Sequence, residues 1–131
     1  ASKVGLEAEF AQLAAGATVA PGGRWVVAKL VSAGEPQAMR DAADKLRGAL
    51  GRGAAVLALE AEGKLTFLAA VTDDLVAEKK LRADELVRKV ATVTGGSGGG
   101  KPHLALAGGR DLDKLDLALA EARRLIAEAL A

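Results

Sequence analysis

Hydrophobic residues recur every three or four positions in four stretches of the chain, and they form continuous or alternating runs between those stretches. The first pattern predicts amphipathic helices and the second predicts β-strands. The helices are predicted over 1–15, 34–51, from Arg82 or Asp84 to Thr94, and from Asp111 or Asp113 to the C-terminal residues. The strands are predicted over 24–31 and 103–109, together with a β-hairpin over 54–71 that turns at Glu62-Gly63.

The order of these elements is helix, strand, helix, strand, strand, helix, strand, helix. It predicts an α/β (α+β) fold in which helices pack on a small mixed β-sheet, preceded by a short N-terminal helix. Thr72 is a candidate cap for a short turn after the hairpin. The chain has 131 residues, no internal repeat and no long linker. One compact domain is therefore expected.

The composition narrows the class of protein. Hydrophobic residues make up 50% and charged residues 27% of the chain, as in globular domains. There is no cysteine, which excludes disulfides and thiolate metal sites and makes the reducing cytoplasm the default compartment. No apolar run reaches the ~20 residues of a membrane span, and the first residues do not follow the order of a signal peptide.

The segment TGGSGGGKPHLALAGG, from Thr94 to Gly109, combines flexible backbone with the single histidine. It matches the first seven positions of a P-loop, but Pro102 replaces the Ser or Thr at the eighth, and the segment follows a helix and enters a strand. A flexible linker would not lead directly into an apolar strand and a long helix. The remaining prediction is a structural glycine loop whose N–H groups and Lys101 are free to meet phosphate.

Catalysis by this chain alone is not expected. His103 without cysteine cannot complete a zinc site, and Ser97 with His103 lacks the context of a nucleophile elbow. The carboxylate pairs Asp73-Asp74 and Asp111/Asp113 precede predicted helices, where capping explains them. His103 is interpreted as a strand-edge imidazole that makes a backbone hydrogen bond, with RNA contact as the alternative.

The net charge is only +1, but the positive residues are unevenly distributed. Residues 78–110 contain seven Lys and Arg against three Asp and Glu. Such a local excess indicates an anion-binding face, with a solvated helix face as the alternative.

The sequence GGSGGGKPHLALAGG, preceded by DELVRKVATVTGG and followed by DLDKLDLALAEARRLI, resembles the end of bacterial alanyl-tRNA synthetases. The family pattern is G-G-x-G-G-G-[RK]-P-x-x-A-x-A-G-G followed by a final helix. The resemblance is specific over 72–131 and weaker over 24–71. It implies the C-terminal domain of the synthetase, C-Ala, with 1–16 as the end of a helical subdomain and 17–131 as the globular, DHH-associated part.

The resemblance also implies a function. In the family this domain binds tRNA for alanine at the outer corner, where the D and T loops meet, and helps to couple aminoacylation with editing of mischarged tRNA. The parent would be an ATP-dependent ligase that uses ATP, Mg²⁺ and, in its editing domain, Zn²⁺, whereas this chain is expected to carry no catalytic residues, no metal site and no cofactor.

The candidate RNA contacts combine the basic excess with the glycine segment. They are Lys79, Lys80, Arg82, Arg88, Lys89, Gly98, Gly99, Gly100, Lys101, His103 and Arg110. Lys79, Lys80 and Arg82 lie at the start of a predicted helix and Lys101 is expected near its opposite end. Whether the set forms one face therefore depends on the fold.

Two other classes remain open. One is a homodimerisation module in which the N-terminal stripe of Leu6, Phe10 and Leu13 packs on its own copy. The other is the nucleic-acid-binding domain of a DHH-type phosphoesterase, whose loop typically reads G-G-G-H-x-x-A-[AS]-G. Here Lys101-Pro102 precede His103, which favours the synthetase. No membrane partner is expected.

Overall fold

The computed structural model describes residues 3–30, 36–61 and 64–131, and within them the predicted α/β fold is confirmed. The helices are α1 (Lys3–Ala15), α2 (Pro36–Leu50), α3 (Asp73–Ala77), α4 (Ala83–Val93) and α5 (Leu115–Ala129), the last preceded by a 3-10 turn over Leu112–Lys114. The strands are β1 (Thr18–Ala20), β2 (Gly23–Leu30), β3 (Gly53–Ala61), β4 (Lys64–Val71), β5 (Ser97–Lys101) and β6 (Leu104–Gly109). The predicted turn at Glu62-Gly63, residues 31 and 34–35, and the side chain of Leu6 lie outside the described part.

The six strands form one mixed sheet in the order β1-β2-β3-β4-β6-β5. Strands β2 and β3 are parallel and are joined through α2, the crossover that a parallel pair requires. All other neighbouring strands are antiparallel. Strand β5 therefore forms one edge of the sheet, and its outer side has no strand neighbour in the described residues.

Helices cover both faces of the sheet. On one face, α4 and α5 bury Phe67 of β4 together with Val87 and Ile126. On the other, α2 buries Leu68 of β4 together with Leu46. Because successive strand residues point to opposite faces and both faces are covered, β3 and β4 are almost continuously apolar.

Helix α1 packs within the chain. Phe10 is 2% exposed and belongs to the same buried cluster as Met39 and Leu46 of α2, and Leu13 packs against that cluster. Two of the three residues assigned to a dimer stripe are thus used in an intrachain contact. The stripe offers no free apolar face at Phe10.

The prediction of a loop between Thr94 and His103 is wrong in one respect, because Ser97–Lys101 forms the edge strand β5. Its register with β6 pairs Gly98 with Ala107 and Gly100 with Ala105. Glycine is depleted in strands, and a run of glycines has no alternation of polar and apolar side chains to reveal one.

The predicted capping role is confirmed for Asp111, whereas Asp73 and Asp74 lie inside the first turn of α3 and not before it. The Asp111 side chain accepts a hydrogen bond from the Asp113 N–H at the start of the 3-10 turn. Asp74 accepts from the Leu75 N–H and the Thr72 hydroxyl, and it pairs with Arg52. Thr72 is the N-cap residue of α3, but its hydroxyl bonds Asp74 and accepts from the Gly53 N–H rather than capping the helix directly.

Arg52 forms ion pairs with Asp74 and Glu78. These two carboxylates make the free energy of unfolding depend on pH. The Thr72 hydroxyl, the Leu75 N–H and Arg52 hold the pKa of Asp74 below its ordinary value, and the Arg52 guanidinium does the same for the pKa of Glu78. The stability these groups contribute is complete above the unfolded-state pKa values near about 4, and it is lost as the pH falls through the lower folded values.

We therefore expect a lower urea midpoint at pH 3 than at pH 7. Both carboxylates are more than a third exposed, so solvent screening keeps the effect modest. In Arg52→Gln the fall between the two pH values should be smaller, because the ion pairs are already absent. An equal fall in both proteins would contradict this assignment.

Candidate nucleic-acid interface

Backbone hydrogen bonds fix the chain on both sides of the edge strand β5, on one side to the residues after β6 and on the other to the start of α4. At the entry, the Thr94 carbonyl accepts from the Arg110 and Asp111 N–H groups at 3.3 and 2.9 Å. At the exit, the Pro102 carbonyl accepts from the Ala83 N–H at 2.7 Å. The glycine-rich strand is thus a positioned backbone surface, although its residues carry almost no side chains.

The bond between Pro102 and Ala83 corrects one expectation. Lys101 does not lie at the far end of α4 from Arg82, because β5 runs back along the helix and returns to its first residue. Arg82 is the N-cap residue of α4 and precedes Ala83 directly. Lys101 and Arg82 therefore flank the same end of the helix.

The fold requires four glycines between Gly95 and Gly100, three because of close packing and one because of its backbone conformation. A Cβ at Gly98 would lie 2.4 Å from the Ala107 Cα, and one at Gly100 would lie 2.8 Å from the Ala105 Cα. A Cβ at Gly96 would lie 1.9 Å from the Gly108 carbonyl oxygen, and Gly95 has a positive φ of 75°. These four glycines therefore allow the chain to turn and β5 to approach β6.

Three exposed cations lie along β5. The Arg110 N–H donates to the carbonyl of Thr94, three residues before the strand, Lys101 is the last residue of the strand, and Arg88 approaches Gly99 from α4. None of the three forms an ion pair with another residue in the described part of the chain. Their charges are thus available to an anionic ligand along an edge of roughly 16 Å.

A groove of about 450 Å³ runs between this edge and α2. Lys101 and His103 lie on its β5–β6 side, and Arg40 lies on its α2 side with Gln37 and Asp44. The sequence does not predict Arg40 as a candidate RNA contact, because this residue lies outside the basic stretch 78–110. Its position in the groove depends on the crossover that brings α2 to this face of the sheet.

The remaining candidates form a second and more mixed site. Lys80, Arg82 and Lys89 line a groove of about 320 Å³ between α4 and α5, together with Glu85 and Glu128. The Arg82 guanidinium donates hydrogen bonds to the Asp84 carboxylate. This contact holds the pKa of Arg82 above its usual value and the pKa of Asp84 below its usual value. This groove is less positive than the β5 edge because its cations face carboxylates.

Lys79 lies apart from both grooves, in the exposed turn after α3, with a positive φ of 60°. The structure thus divides the predicted set between the β5 edge, the α4–α5 groove and this turn. Across the described ranges no group of three or more His, Cys, Asp or Glu side chains could hold a metal ion, and no helix there is long and apolar enough to cross a membrane.

Residues 22–128 match the family model of the DHHA1 domain. The chain therefore belongs to the DHHA1 domain family. The resemblance to the C-terminal domain of alanyl-tRNA synthetases is also confirmed. The chain is 48% identical over 110 residues to an alanine–tRNA ligase of Anaeromyxobacter dehalogenans and 50% identical over 86 residues to one of Thiobacillus denitrificans.

These matches cover 84% and 66% of this chain but only 12% and 10% of the two relatives, so the chain spans about a tenth of their length. Among solved structures, the C-Ala domain of Aquifex aeolicus alanyl-tRNA synthetase superposes with a TM-score of 0.69 at 26% identity, covering 85% of this chain and 97% of that domain. A pGpG-specific phosphodiesterase from Vibrio cholerae superposes at 0.50 with 12% identity, over 96% of this chain and 40% of that one. This second similarity shows the shared fold alone.

Proposed function

We propose that this chain is the tRNA-binding C-terminal domain of an alanyl-tRNA synthetase and that it binds tRNA for alanine at the outer corner, where the D and T loops meet. The observation that carries the proposal is the glycine-rich edge strand β5, which is flanked by Arg88, Lys101 and Arg110, none with a carboxylate partner among the described residues. Similarity to alanine–tRNA ligases supplies the identity of the RNA.

The chemistry of the edge suits recognition of RNA shape. Phosphate contacts come from Arg, Lys and backbone N–H groups, and they position a protein on RNA without reading a base sequence in a groove. Strand β5 offers backbone groups that glycine leaves uncovered, and its flanking cations supply the charge. Three aromatic residues in the whole chain provide little for a base-stacking ladder of the single-strand-binding kind.

In the parent protein, the domain would hold one tRNA while the aminoacylation and editing sites act on it. The parent reaction would be the ATP-dependent ligation of alanine to tRNA, with Mg²⁺ and an editing Zn²⁺ held by other parts of that protein. This chain would contribute binding and positioning, since its carboxylate pairs serve as helix caps and ion-pair partners.

The test is a titration of the 131-residue chain with tRNA for alanine at two salt concentrations. We expect binding that weakens steeply with salt, with log K falling by about 0.7–0.9 per phosphate contact for each unit of log salt. An acceptor–T minihelix, which lacks the D loop and therefore the corner, should bind much more weakly. Salt-independent binding, or equal affinity for the minihelix, would contradict contact at the corner.

A further inference from the structure

Gly99 differs from the other glycines between Gly95 and Gly100. The fold requires Gly95, Gly96, Gly98 and Gly100, through a positive φ at Gly95 and close packing at the other three. At Gly99 a Cβ would meet a single neighbouring atom within 4 Å, the Nη2 of Arg88 at 4.0 Å. Neither packing nor backbone conformation within the described chain explains why this position carries no side chain.

The single atom near a Cβ at Gly99 belongs to the guanidinium of Arg88, which has no carboxylate partner among the described residues. Arg88 lies on the exposed side of α4 and forms no ion pair with any described residue. A phosphate oxygen that accepts from Nη2 would lie about 2.7–2.9 Å from it. A Cβ on Gly99 would lie 4.0 Å from the same Nη2 and would take up space that a phosphate group bound there needs.

We propose that Gly99 and Arg88 together form a subsite for one RNA backbone phosphate. The guanidinium donates to the phosphate oxygens, and the absence of a side chain at Gly99 lets the RNA backbone approach the strand. The inference rests on the proposed function and deepens it, because it identifies one position on the edge where a glycine is needed by the ligand and not by the fold.

The test compares Gly99→Ala with Gly48→Ala in titrations with tRNA for alanine. Gly48 is exposed on α2, and a Cβ there would also meet no neighbouring atom within 4 Å. Both variants should melt at the wild-type temperature or above it, because alanine at an unstrained glycine position restricts the unfolded chain. Only Gly99→Ala should bind the RNA more weakly, by about tenfold.

A second comparison tests whether the two residues share one phosphate. Arg88→Ala should also weaken binding about tenfold and lower the salt slope by roughly 0.7–0.9. The double variant should lose little more than the larger single loss, because both changes remove the same contact. Fully additive losses would overturn the shared subsite.

The two proposals fail in different ways. If the wild-type chain shows no salt-dependent binding of the tRNA, the proposed function itself is wrong. If the wild type binds but Gly99→Ala binds as tightly, the subsite is wrong and the edge binds RNA elsewhere. A lower melting temperature for Gly99→Ala would show that the fold requires this glycine after all, and it would also overturn the inference.

Discussion

Alanine at Gly53 is expected to destabilise the folded chain by about 3 kcal/mol, the upper part of the usual cost of overpacking a core. The same substitution at Gly48 is expected to stabilise it by about 0.5–1 kcal/mol. One added methyl group should thus change the free energy of unfolding in opposite directions at two glycines only five positions apart.

The difference comes from the neighbours of each glycine. Gly53 starts the buried strand β3 opposite Arg24 of β2, and a Cβ would lie 1.8 Å from the Arg24 carbonyl oxygen. Its N–H and carbonyl are also bonded to Thr72, at 3.0 Å each, which limits how far it can move. Gly48 is exposed in the interior of α2, where glycine is a poor helix former and alanine is the best.

Urea unfolding of the two variants and the wild type measures both effects. Circular dichroism at low urea should show that Gly53→Ala retains helices and strands, so that the comparison is made between folded proteins. A Gly53→Ala protein as stable as the wild type would mean that β2 and β3 separate at no cost. The parallel strands β2 and β3 would then be packed less closely at Gly53 than the structure indicates.

The well-predicted part of the fold has clear side-chain patterns. The hairpin over 54–71 is a pair of apolar runs, and α2 is bounded by Pro36 and followed by Gly51, so that periodicity and boundary residues agree. Strand β5 has neither an apolar pattern nor boundary residues, since four of its five residues are Ser or Gly. Its pairing is set by the close approach of backbones, which a sequence pattern of side chains does not record.

The candidate site shows the same limit. The excess of positive charge in 78–110 and the glycine segment predicted phosphate contacts, and the resemblance to the synthetase family added tRNA as the ligand. The sequence did not reveal that β5 returns to the start of α4, the end where Arg82 lies, or that Arg40 lines the same groove as Lys101. Both contacts depend on long-range topology and not on neighbours in the chain.

Reversing the charge on both Arg88 and Lys101 should produce the largest loss of function. Arg88→Glu with Lys101→Glu is expected to weaken binding of tRNA for alanine roughly 100-fold at low salt, because two attractive contacts become repulsive. The slope of log K against log salt should also fall by about 1.4–1.8, the value for two phosphate contacts. Both side chains are exposed, so the fold should persist.

Arg123→Glu is the matched control for Arg88→Glu. Arg123 is also an exposed helical arginine without an ion pair in the described residues, but it lies on α5, which packs over β2 and β3 rather than beside β5. Both single variants change the net charge by the same amount, so any general effect of charge on RNA affinity is common to them. A larger loss in Arg88→Glu isolates the contribution of the edge strand. Equal losses would show that the tRNA responds to the overall charge of the protein, and the β5 edge would then have no special part in binding.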